Sequence, residues 1–224
     1  EIFFLKKNKL GIYNFDFKNI LKNSNYKLNI TDGEFINIKK IYCKKDIDKF
    51  FSNIYSRSVI LDRDGVINVN KGYVAFKKDF IFQQGAIKAI KYLNNNNYNI
   101  FVVSNQSGIA RGYFSEEDVK KLHNYLRDEL TNNFSFINKI YYSPFHKKGI
   151  IKKYTKNSSC RKPGIKLFKI LTKEWGIVNK KNLMMIGDQK SDMEFARNAK
   201  INSALFSGGS LYSFVKKLKL DKKF

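Results

Sequence analysis

Short apolar runs alternate with amphipathic stretches along most of the chain, and this alternation predicts its secondary structure. Continuous apolar runs are typical of buried strands, whereas apolar residues three or four positions apart are typical of helices that cover a core. The predicted strands are 58–62, 99–104, 137–142, 183–187 and 202–206. The predicted helices are 85–97, 116–131, 163–175, 190–199 and 210–219. Repeated strand–helix units predict an α/β fold, in which helices cover both faces of a parallel sheet.

The first 55 residues show a different pattern. Their apolar stretches are short, and the turn pair Asp32-Gly33 favours a hairpin between two strand-like runs at 26–30 and 34–42. Residues 45–55 have the apolar spacing of a helix. We therefore predict two regions, an N-terminal extension over 1–55 and a main α/β domain over 56–224.

Length and composition limit the classes of protein to consider. A chain of 224 residues is long enough to bury a substantial core. It contains no apolar run near the roughly 20 residues that span a bilayer, and no signal-peptide pattern is visible, so we expect no membrane association. The two cysteines, Cys43 and Cys160, lie far apart, which is typical of a protein from the reducing cytoplasm.

The net charge of +24 raises the question of nucleic-acid binding, because lysine and arginine neutralise phosphates. The lysines, however, are spread along the chain and form no basic stripe interleaved with aromatic residues. Asparagine is also abundant, as expected of an AT-rich coding sequence. We therefore predict no nucleic-acid partner, although a positive field would attract a small anionic substrate.

Polar residues that suit phosphate chemistry follow the predicted strands. In open parallel sheets, ligands bind outside the carboxyl ends of the strands. Each of these polar groups, taken alone, is typical of an ordinary turn or a solvated surface. Their occurrence at successive strand ends is not typical of turns and indicates a binding site. These residues are Asp62 and Asp64, then 104–107, then Arg161 and Lys162, and finally Asp188.

The residue types match the requirements of phosphoryl transfer, which needs an in-line nucleophile and neutralisation of charge on the transferred group. Asp62 is the candidate nucleophile that forms an aspartyl-phosphate. Asp64 would protonate the leaving alkoxide and later activate water. Lys162 would place a positive charge beside the phosphate and the nucleophile.

The same residues predict a metal site and a phosphate site. Asp62 and Asp188 would hold Mg²⁺ together with a backbone carbonyl. Ser104 and Asn105 would offer a hydroxyl, an amide and backbone N–H groups to the phosphate.

These motifs resemble those of the haloacid dehalogenase (HAD) phosphatases. The resemblance is closest to the branch of D-glycero-D-manno-heptose 1,7-bisphosphate 7-phosphatases and covers about 58–206. It implies a HAD-like Rossmannoid three-layer fold with a mostly parallel central sheet and no large cap domain. The matching segments are 62–68, Gly72-Tyr73-Val74, 104–113, Cys160-Arg161-Lys162-Pro163 and 187–192.

The resemblance also implies roles for individual residues. The magnesium ligands would be Asp62, Asp64 through its carbonyl oxygen, and Asp188. Arg161 would act as a fork for the second phosphate of a sugar bisphosphate. The implied substrate-binding residues are Asn70, Lys71, Gly72, Tyr73, Ser104, Asn105, Gln106, Ser107, Arg111, Arg161 and Lys162.

The chain departs from the family at a structural zinc site, which the family builds from three cysteines and one histidine. The matching positions here are Ser143, Phe145, Ser158 and Cys160. A single thiolate makes a poor zinc site, so we expect no zinc. We expect His146 to be a loop residue and His123 to be structural. The loop 144–159 is predicted to be ordered by packing of Phe145, Ile150, Ile151 and Tyr154.

The N-terminal extension has a resemblance of its own, to the tail of a sugar-phosphate nucleotidyltransferase. It rests on residues 10–13 and 32–38, and the pattern is lost at 39–43. The 224 residues contain no glycine-rich nucleotide-binding start, so no transferase activity is assigned. The expectation is a phosphatase fused to, or associated with, a nucleotidyltransferase domain.

Three functions therefore compete. The first is a Mg²⁺-dependent phosphatase that acts on a sugar bisphosphate. The second keeps the chemistry but acts on histidinol phosphate or another small phosphomonoester. The third is a basic binding protein without catalysis, which the intact set Asp62, Asp64, Lys162 and Asp188 disfavours.

Overall fold

The computed structural model describes residues 57–177, 179–218 and 220, together with the backbone of three strands at 2–5, 27–30 and 34–36. Those strands, β1 (Ile2–Leu5), β2 (Lys27–Ile30) and β3 (Glu34–Ile36), form one sheet. β2 and β3 pair antiparallel and cover 27–30 and 34–36 of the predicted strand-like runs at 26–30 and 34–42, whereas β1 was not predicted. The turn pair Asp32-Gly33 and the predicted helix at 45–55 lie outside the described residues. The division of the chain near residue 56 stays a prediction.

The main domain is built on a five-stranded parallel sheet, as predicted, with strand order β6-β5-β4-β7-β8. The strands are β4 (Ser58–Leu61), β5 (Asn99–Asn105), β6 (Lys139–Ser143), β7 (Leu183–Gly187) and β8 (Asn202–Leu205). The helices are α1 (Ala86–Asn95), α2 (Glu116–Asn132), α3 (Lys166–Glu174), α4 (Lys190–Ala199) and α5 (Leu211–Lys217). The helix predicted to open at residue 163 begins three residues later, at Lys166.

Two hydrophobic cores cover the two faces of this sheet. Successive side chains of a strand point to opposite faces. Val59 and Leu61 of β4 accordingly join the core that includes residues of α1, α2 and α5. Ile60 joins the core that includes residues of α3 and α4. The result is the predicted three-layer arrangement of helices, sheet and helices.

The topology brings the strand ends with polar residues together. β4 lies at the centre of the sheet, between β5 and β7, so its carboxyl end is flanked by both of theirs. The backbone N–H of Asp62 donates to the carbonyl of Ile186 at 2.9 Å, which ties the ends of β4 and β7. The described connections near this edge, 62–85, 106–115 and 144–165, are loops with at most a short 3₁₀ turn at Lys77–Asp79, so they form no large cap. Among the described helices, none has the length and hydrophobicity that crossing a membrane requires.

Candidate active site

Three carboxylates meet at the carboxyl end of the central strands. Asp62 follows β4, Asp188 follows β7 and Asp192 lies in the first turn of α4. Each offers an oxygen, and these atoms all lie within 4.8 Å of one another. Asp62 and Asp192 are buried, whereas Asp188 is half-buried. The structure thus brings together the predicted ligands Asp62 and Asp188 and adds Asp192, to which the sequence analysis gave no role.

Lys162 lies against this carboxylate cluster and is itself buried. Its Nζ atom is 3.0 Å from Oδ1 of Asp62 and 2.6 Å from Oδ1 of Asp192. The pKa of Asp62 is raised to about 7, chiefly by burial; the Lys162 ammonium opposes this rise, and the neighbouring carboxylates Asp192 and Asp64 add to it. One ammonium facing three carboxylates leaves an excess of negative charge, which a divalent cation would balance.

The cluster fits a hard cation such as magnesium, which takes oxygen ligands. Oδ1 of Asp188 is buried and has no hydrogen-bond partner among the described residues, although buried oxygens normally have one. Gly65 leaves room beside it, because a Cβ atom at this position would lie 2.2 Å from Oδ2 of Asp188. Asp62 and Asp188 are therefore the side chains that would hold the ion, and Asp192 lies beside them.

The carboxylate of Asp64 is held separately, by the side chains of three residues. It accepts from Nη2 of Arg63 at 2.9 and 2.8 Å, from Nδ2 of Asn68 at 3.0 Å and from Nε2 of Gln106 at 2.8 Å. Arg63 is completely buried, and its Nη1 lies 3.3 Å from Nε2 of His123. Since a guanidinium can only donate, the His123 nitrogen accepts. These contacts fix the position of the candidate general acid and base.

His123 is buried beneath this network rather than exposed to substrate. Burial, followed by the nearby charges of Arg63 and Arg127, holds the pKa of His123 well below its usual range. A neutral imidazole can accept the hydrogen bond from Arg63, which in turn contacts Asp64. Sequence reasoning gave neither Arg63 nor His123 a part in the site, because they lie 60 positions apart and only the fold joins them.

The residues that end β5 support the site in two ways. The hydroxyl of Ser104 is buried and accepts from Nε2 of Gln106 at 2.8 Å. Both amide atoms of Asn105 bond to the backbone of Lys162: Oδ1 accepts from its N–H at 2.9 Å, and Nδ2 donates to its carbonyl at 3.2 Å. Asn105 therefore positions the lysine. Ser107 lies half-buried in the turn that follows.

A second, cationic cluster contains two of the predicted substrate-binding residues, Arg111 and Arg161, and lies next to a third, Tyr73. The guanidinium of Arg111 is 5.9 Å from the ring centre of Tyr73, and its Nη2 is 3.4 Å from Nε2 of His146. Burial, and then the like charge of Arg111, lowers the pKa of Arg161. The predicted residues Asn70, Lys71 and Gly72 form an exposed turn before Tyr73. We refer to Arg111, Arg161 and His146 as the arginine cluster.

One cavity lies beside Arg161 and its chain neighbour Lys162. Its volume is ≈ 470 Å³, and its lining includes Lys162 of the carboxylate site and Arg161 and His146 of the arginine cluster. A cavity of this size is large enough for a small sugar phosphate.

A family model described as polynucleotide kinase 3 phosphatase matches residues 58–205. The chain belongs to this family. A D-glycero-beta-D-manno-heptose-1,7-bisphosphate 7-phosphatase from Rhodopseudomonas palustris is 38% identical over 164 residues, which cover 73% of this chain and 91% of that protein. The alpha counterpart from Campylobacter jejuni is 38% identical over 150 residues, which cover 67% and 81%. These matches confirm the prediction of a HAD-type phosphatase, a phosphoric monoester hydrolase.

Solved structures confirm the fold of this phosphatase. A HAD-like phosphatase from Mesorhizobium loti superposes with a TM-score of 0.64 at 25% identity, covering 69% of this chain and 74% of that one. A D,D-heptose 1,7-bisphosphate phosphatase from B. bronchiseptica, solved with magnesium and phosphate, gives 0.64 at 22% identity, covering 74% and 99%. At that identity, the second match supports the fold alone.

The loop after β6 carries the positions at which the sequence analysis expected no zinc. Ser143 is buried, Ser158 accepts a hydrogen bond from the backbone of Cys160, and Cys160 is a free thiol. The ring of Phe145 lies 6.2 Å from that of Tyr154, in line with the predicted packing. The absence of zinc remains a prediction.

The predicted packing of Ile150 and Ile151 is wrong, since these side chains are 77% and 39% exposed. The loop is instead attached through its backbone, because the N–H groups of Ile150 and Ile151 donate to the carbonyl of Ala110 at 2.8 and 3.0 Å. A side-chain hydrogen bond to Glu116 of α2 also attaches the loop. The carboxylate of Glu116 accepts from the hydroxyl of Tyr154 at 2.5 Å and from that of Tyr142 at 3.1 Å.

Proposed function

We propose that this phosphatase removes the 7-phosphate of D-glycero-D-manno-heptose 1,7-bisphosphate in a magnesium-dependent reaction. The observation that carries the proposal is that two sites adjoin at the neighbouring residues Arg161 and Lys162, which line one cavity. The carboxylate site with Lys162 suits the phosphate that reacts, and the arginine cluster suits a second phosphate that does not. The names of the relatives support the same substrate, in both anomeric forms.

In the first half of the proposed reaction, a carboxylate oxygen of Asp62 attacks phosphorus in line with the bond to the oxygen on C7. That bond breaks, and Asp64 gives its proton to the departing alkoxide. The products are heptose 1-phosphate and an aspartyl-phosphate. Lys162, at 3.0 Å from Asp62, neutralises charge on the transferred group and is held in place by Asn105.

In the second half, Asp64 takes a proton from a water molecule whose oxygen attacks the phosphorus of the aspartyl-phosphate. The bond between phosphorus and the Asp62 oxygen breaks, which restores the carboxylate and releases inorganic phosphate. Asp62, Asp188 and the carbonyl of Asp64 would hold Mg²⁺, which supplies further positive charge next to the phosphate oxygens. The donors around Asp64 keep it in place for both proton transfers.

The test is phosphate release from a panel of substrates with Mg²⁺ and with a chelator. The panel contains both anomers of the heptose bisphosphate, histidinol phosphate and a 3′-phosphorylated oligonucleotide. We expect the highest kcat/KM for one anomer of the bisphosphate, loss of turnover in Asp62→Asn, and loss with the chelator. A preference for histidinol phosphate or the oligonucleotide would contradict the proposed substrate. Inactivity of folded, Mg²⁺-loaded protein together with salt-sensitive binding of nucleic acid would favour a basic binding protein.

We further propose that the product enters the synthesis of a nucleotide-activated heptose in the cytoplasm, and that residues 1–55 correspond to the tail of a nucleotidyltransferase. The support for the second point is the resemblance at 10–13 and 32–38. Binding of heptose 1-phosphate nucleotidyltransferase to the full chain, measured by calorimetry, would test the association. Equal binding to a protein that lacks 1–55 would contradict it.

A further inference from the structure

His146 follows one of the lost zinc-ligand positions, and its tautomer is fixed by a neighbouring backbone group. Its Nδ1 accepts a hydrogen bond from the N–H of Lys148 at 3.0 Å. Burial, and then the charges of Arg161 and Arg111, lower the pKa of His146, so the ring is neutral near pH 7. A neutral imidazole whose Nδ1 accepts must carry its proton on Nε2. The Nε2 atom is therefore a donor.

The Nε2–H group of His146 faces a second donor, the guanidinium of Arg111. Nη2 of Arg111 lies 3.4 Å from Nε2 of His146, and a guanidinium nitrogen cannot accept. Within the described part of the chain, the buried atoms Nε of Arg111 and Nη1 of Arg161 also have no hydrogen-bond partner. Buried polar atoms normally have partners, so several unpaired donors in one cluster indicate an acceptor that the polypeptide does not supply.

The charges around the ring identify the chemistry of this acceptor. The charged groups that act on His146 are Arg161, Arg111, Lys147 and Lys148, and all are basic. Arginine forks match the oxygens of phosphate, which also offers enough lone pairs for a third donor. Arg161 and His146 line one cavity with Lys162, whose Nζ contacts Asp62, so a phosphate bound here lies next to the carboxylate site.

We propose that His146 binds the second, non-reacting phosphate of the substrate through its Nε2–H, as a third donor beside Arg111 and Arg161. The inference rests on the proposed function, because it assumes a substrate with two phosphates. It makes His146 a specificity-determining residue: it stabilises a bisphosphate in the ground state and the transition state alike, and it does nothing for a substrate with one phosphate. Binding of this kind changes KM and leaves kcat unaltered.

The kinetic test compares two substrates that share the reacting phosphate, heptose 1,7-bisphosphate and heptose 7-phosphate. His146→Phe removes the donor, His146→Gln keeps an N–H, and Lys152→Gln removes a charge from an exposed position of the same loop. We expect His146→Phe to raise KM for the bisphosphate about tenfold, which is typical of a lost hydrogen bond to a charged group. KM for heptose 7-phosphate, and kcat for both, should change less than twofold. His146→Gln should recover most of the loss, and Lys152→Gln should resemble the parent protein. Equal changes for both substrates, or none, would overturn the inference.

A second test does not depend on heptose turnover. The chain has two histidines, so the ring proton signals of His146 can be assigned by their absence in His146→Gln. Glucose 1-phosphate, added to the Mg²⁺-loaded protein, should shift these signals saturably and raise the pKa of the ring, because a nearby dianion favours the imidazolium. If the parent protein prefers another substrate but this shift occurs, the proposed function fails while the phosphate site at His146 stands. If the heptose bisphosphate is the preferred substrate but neither the shift nor the KM effect occurs, only the inference about His146 fails.

Discussion

Removing the hydroxyl of Tyr154 should loosen the loop that carries His146. The hydroxyl donates to the carboxylate of Glu116 at 2.5 Å, and this bridge spans from the loop to the first turn of α2. In Tyr154→Phe the aromatic ring keeps its contact with Phe145, so the change removes one hydrogen bond with little loss of packing. The bond from Tyr142 to the same carboxylate remains.

The size of the effect follows from the type of bond. A hydrogen bond to a charged group contributes roughly 1.5–3 kcal/mol when it is buried. Glu116 is only half-buried, so water competes for its carboxylate. We therefore expect this hydrogen bond to contribute about 1 kcal/mol. The free energy that opposes local opening of the loop should fall by that amount. The open population then rises about fivefold.

Trypsin can measure this opening, because the loop is rich in lysine. Cleavage reports the population of the open form when the loop opens and closes faster than the protease cuts. We expect Tyr154→Phe to be cut within 144–159 about fivefold faster than the parent protein. Since the bond is also absent from the unfolded state, the midpoint of global thermal unfolding should fall by only about 2–4 °C. The candidate cleavage sites are Lys147, Lys148, Lys152, Lys153 and Lys156.

The matched control is Tyr92→Phe on α1. The ring of Tyr92 packs edge to face on Tyr212 with centroids 5.8 Å apart, and its hydroxyl has no hydrogen bond within the described residues. Equal cleavage rates for the two variants would show that the bond to Glu116 does not hold the loop. A similar acceleration of cleavage at lysines outside 144–159 would show that the effect is not local and would also refute the reasoning.

Three further predictions concern the main site and the bridge. Gly65→Ala should abolish turnover and Mg²⁺ binding, the latter measured by calorimetry, because the added Cβ atom would lie 2.2 Å from Oδ2 of Asp188. The control is Gly72→Ala, at a position with a similar positive φ but open space around it, and this variant should bind Mg²⁺ normally. Lys162→Met should lower the free energy of unfolding by roughly 3–5 kcal/mol, because it leaves buried carboxylates unpaired. The same change should reduce kcat at least tenfold. An unchanged midpoint of thermal unfolding would contradict the contribution of the buried ion pairs. The Tyr154 hydrogen bond holds the pKa of Glu116 below its ordinary value of 4.5, so the bridge contributes stability above that pH and loses it as the pH falls through the lowered pKa. The rate of amide hydrogen exchange in 144–159, corrected for intrinsic rates, should therefore be constant from about pH 8 to 5 and higher below about pH 4.5. Protection of these amides that persists at pH 3 would contradict the role of the Glu116 carboxylate.

The main fold could be predicted because its signals are local. Each central strand is a continuous apolar run, and each helix has an apolar face at regular spacing. The start of α3 was predicted three residues too early for an equally local reason. Pro163-Gly164 suggested a helix start, but the backbone N–H of Gly164 donates to the carbonyl of Arg161 at 2.7 Å in a tight turn. A Cβ at Gly164 would lie 2.4 Å from the carbonyl oxygen of Ser159, so the chain folds closely back on itself here.

The site could be predicted only where its residues follow strands. The sequence indicated Asp62, Asp64, Lys162 and Asp188 because strand ends of a parallel sheet meet at one edge. The role of Asn105 as a clamp on the backbone of Lys162 depends on a contact across 57 positions, for which the sequence has no signal. Asp192 did have a signal: it lies one helical turn beyond Asp188, at a position where it also caps α4.

The distribution of charge from the carboxylate site to the arginine cluster favours a bisphosphate over a phosphomonoester. At one end, three carboxylates face Lys162, an excess of negative charge that a divalent cation and a phosphate would share. At the other end, the donors of Arg111, Arg161 and His146 converge, and the charged groups that act on His146 are all basic. Histidinol phosphate would fill the first end and bring a second cation to the other. Because buried donors left without an acceptor cost free energy, a substrate with a second phosphate is the better complement to both ends.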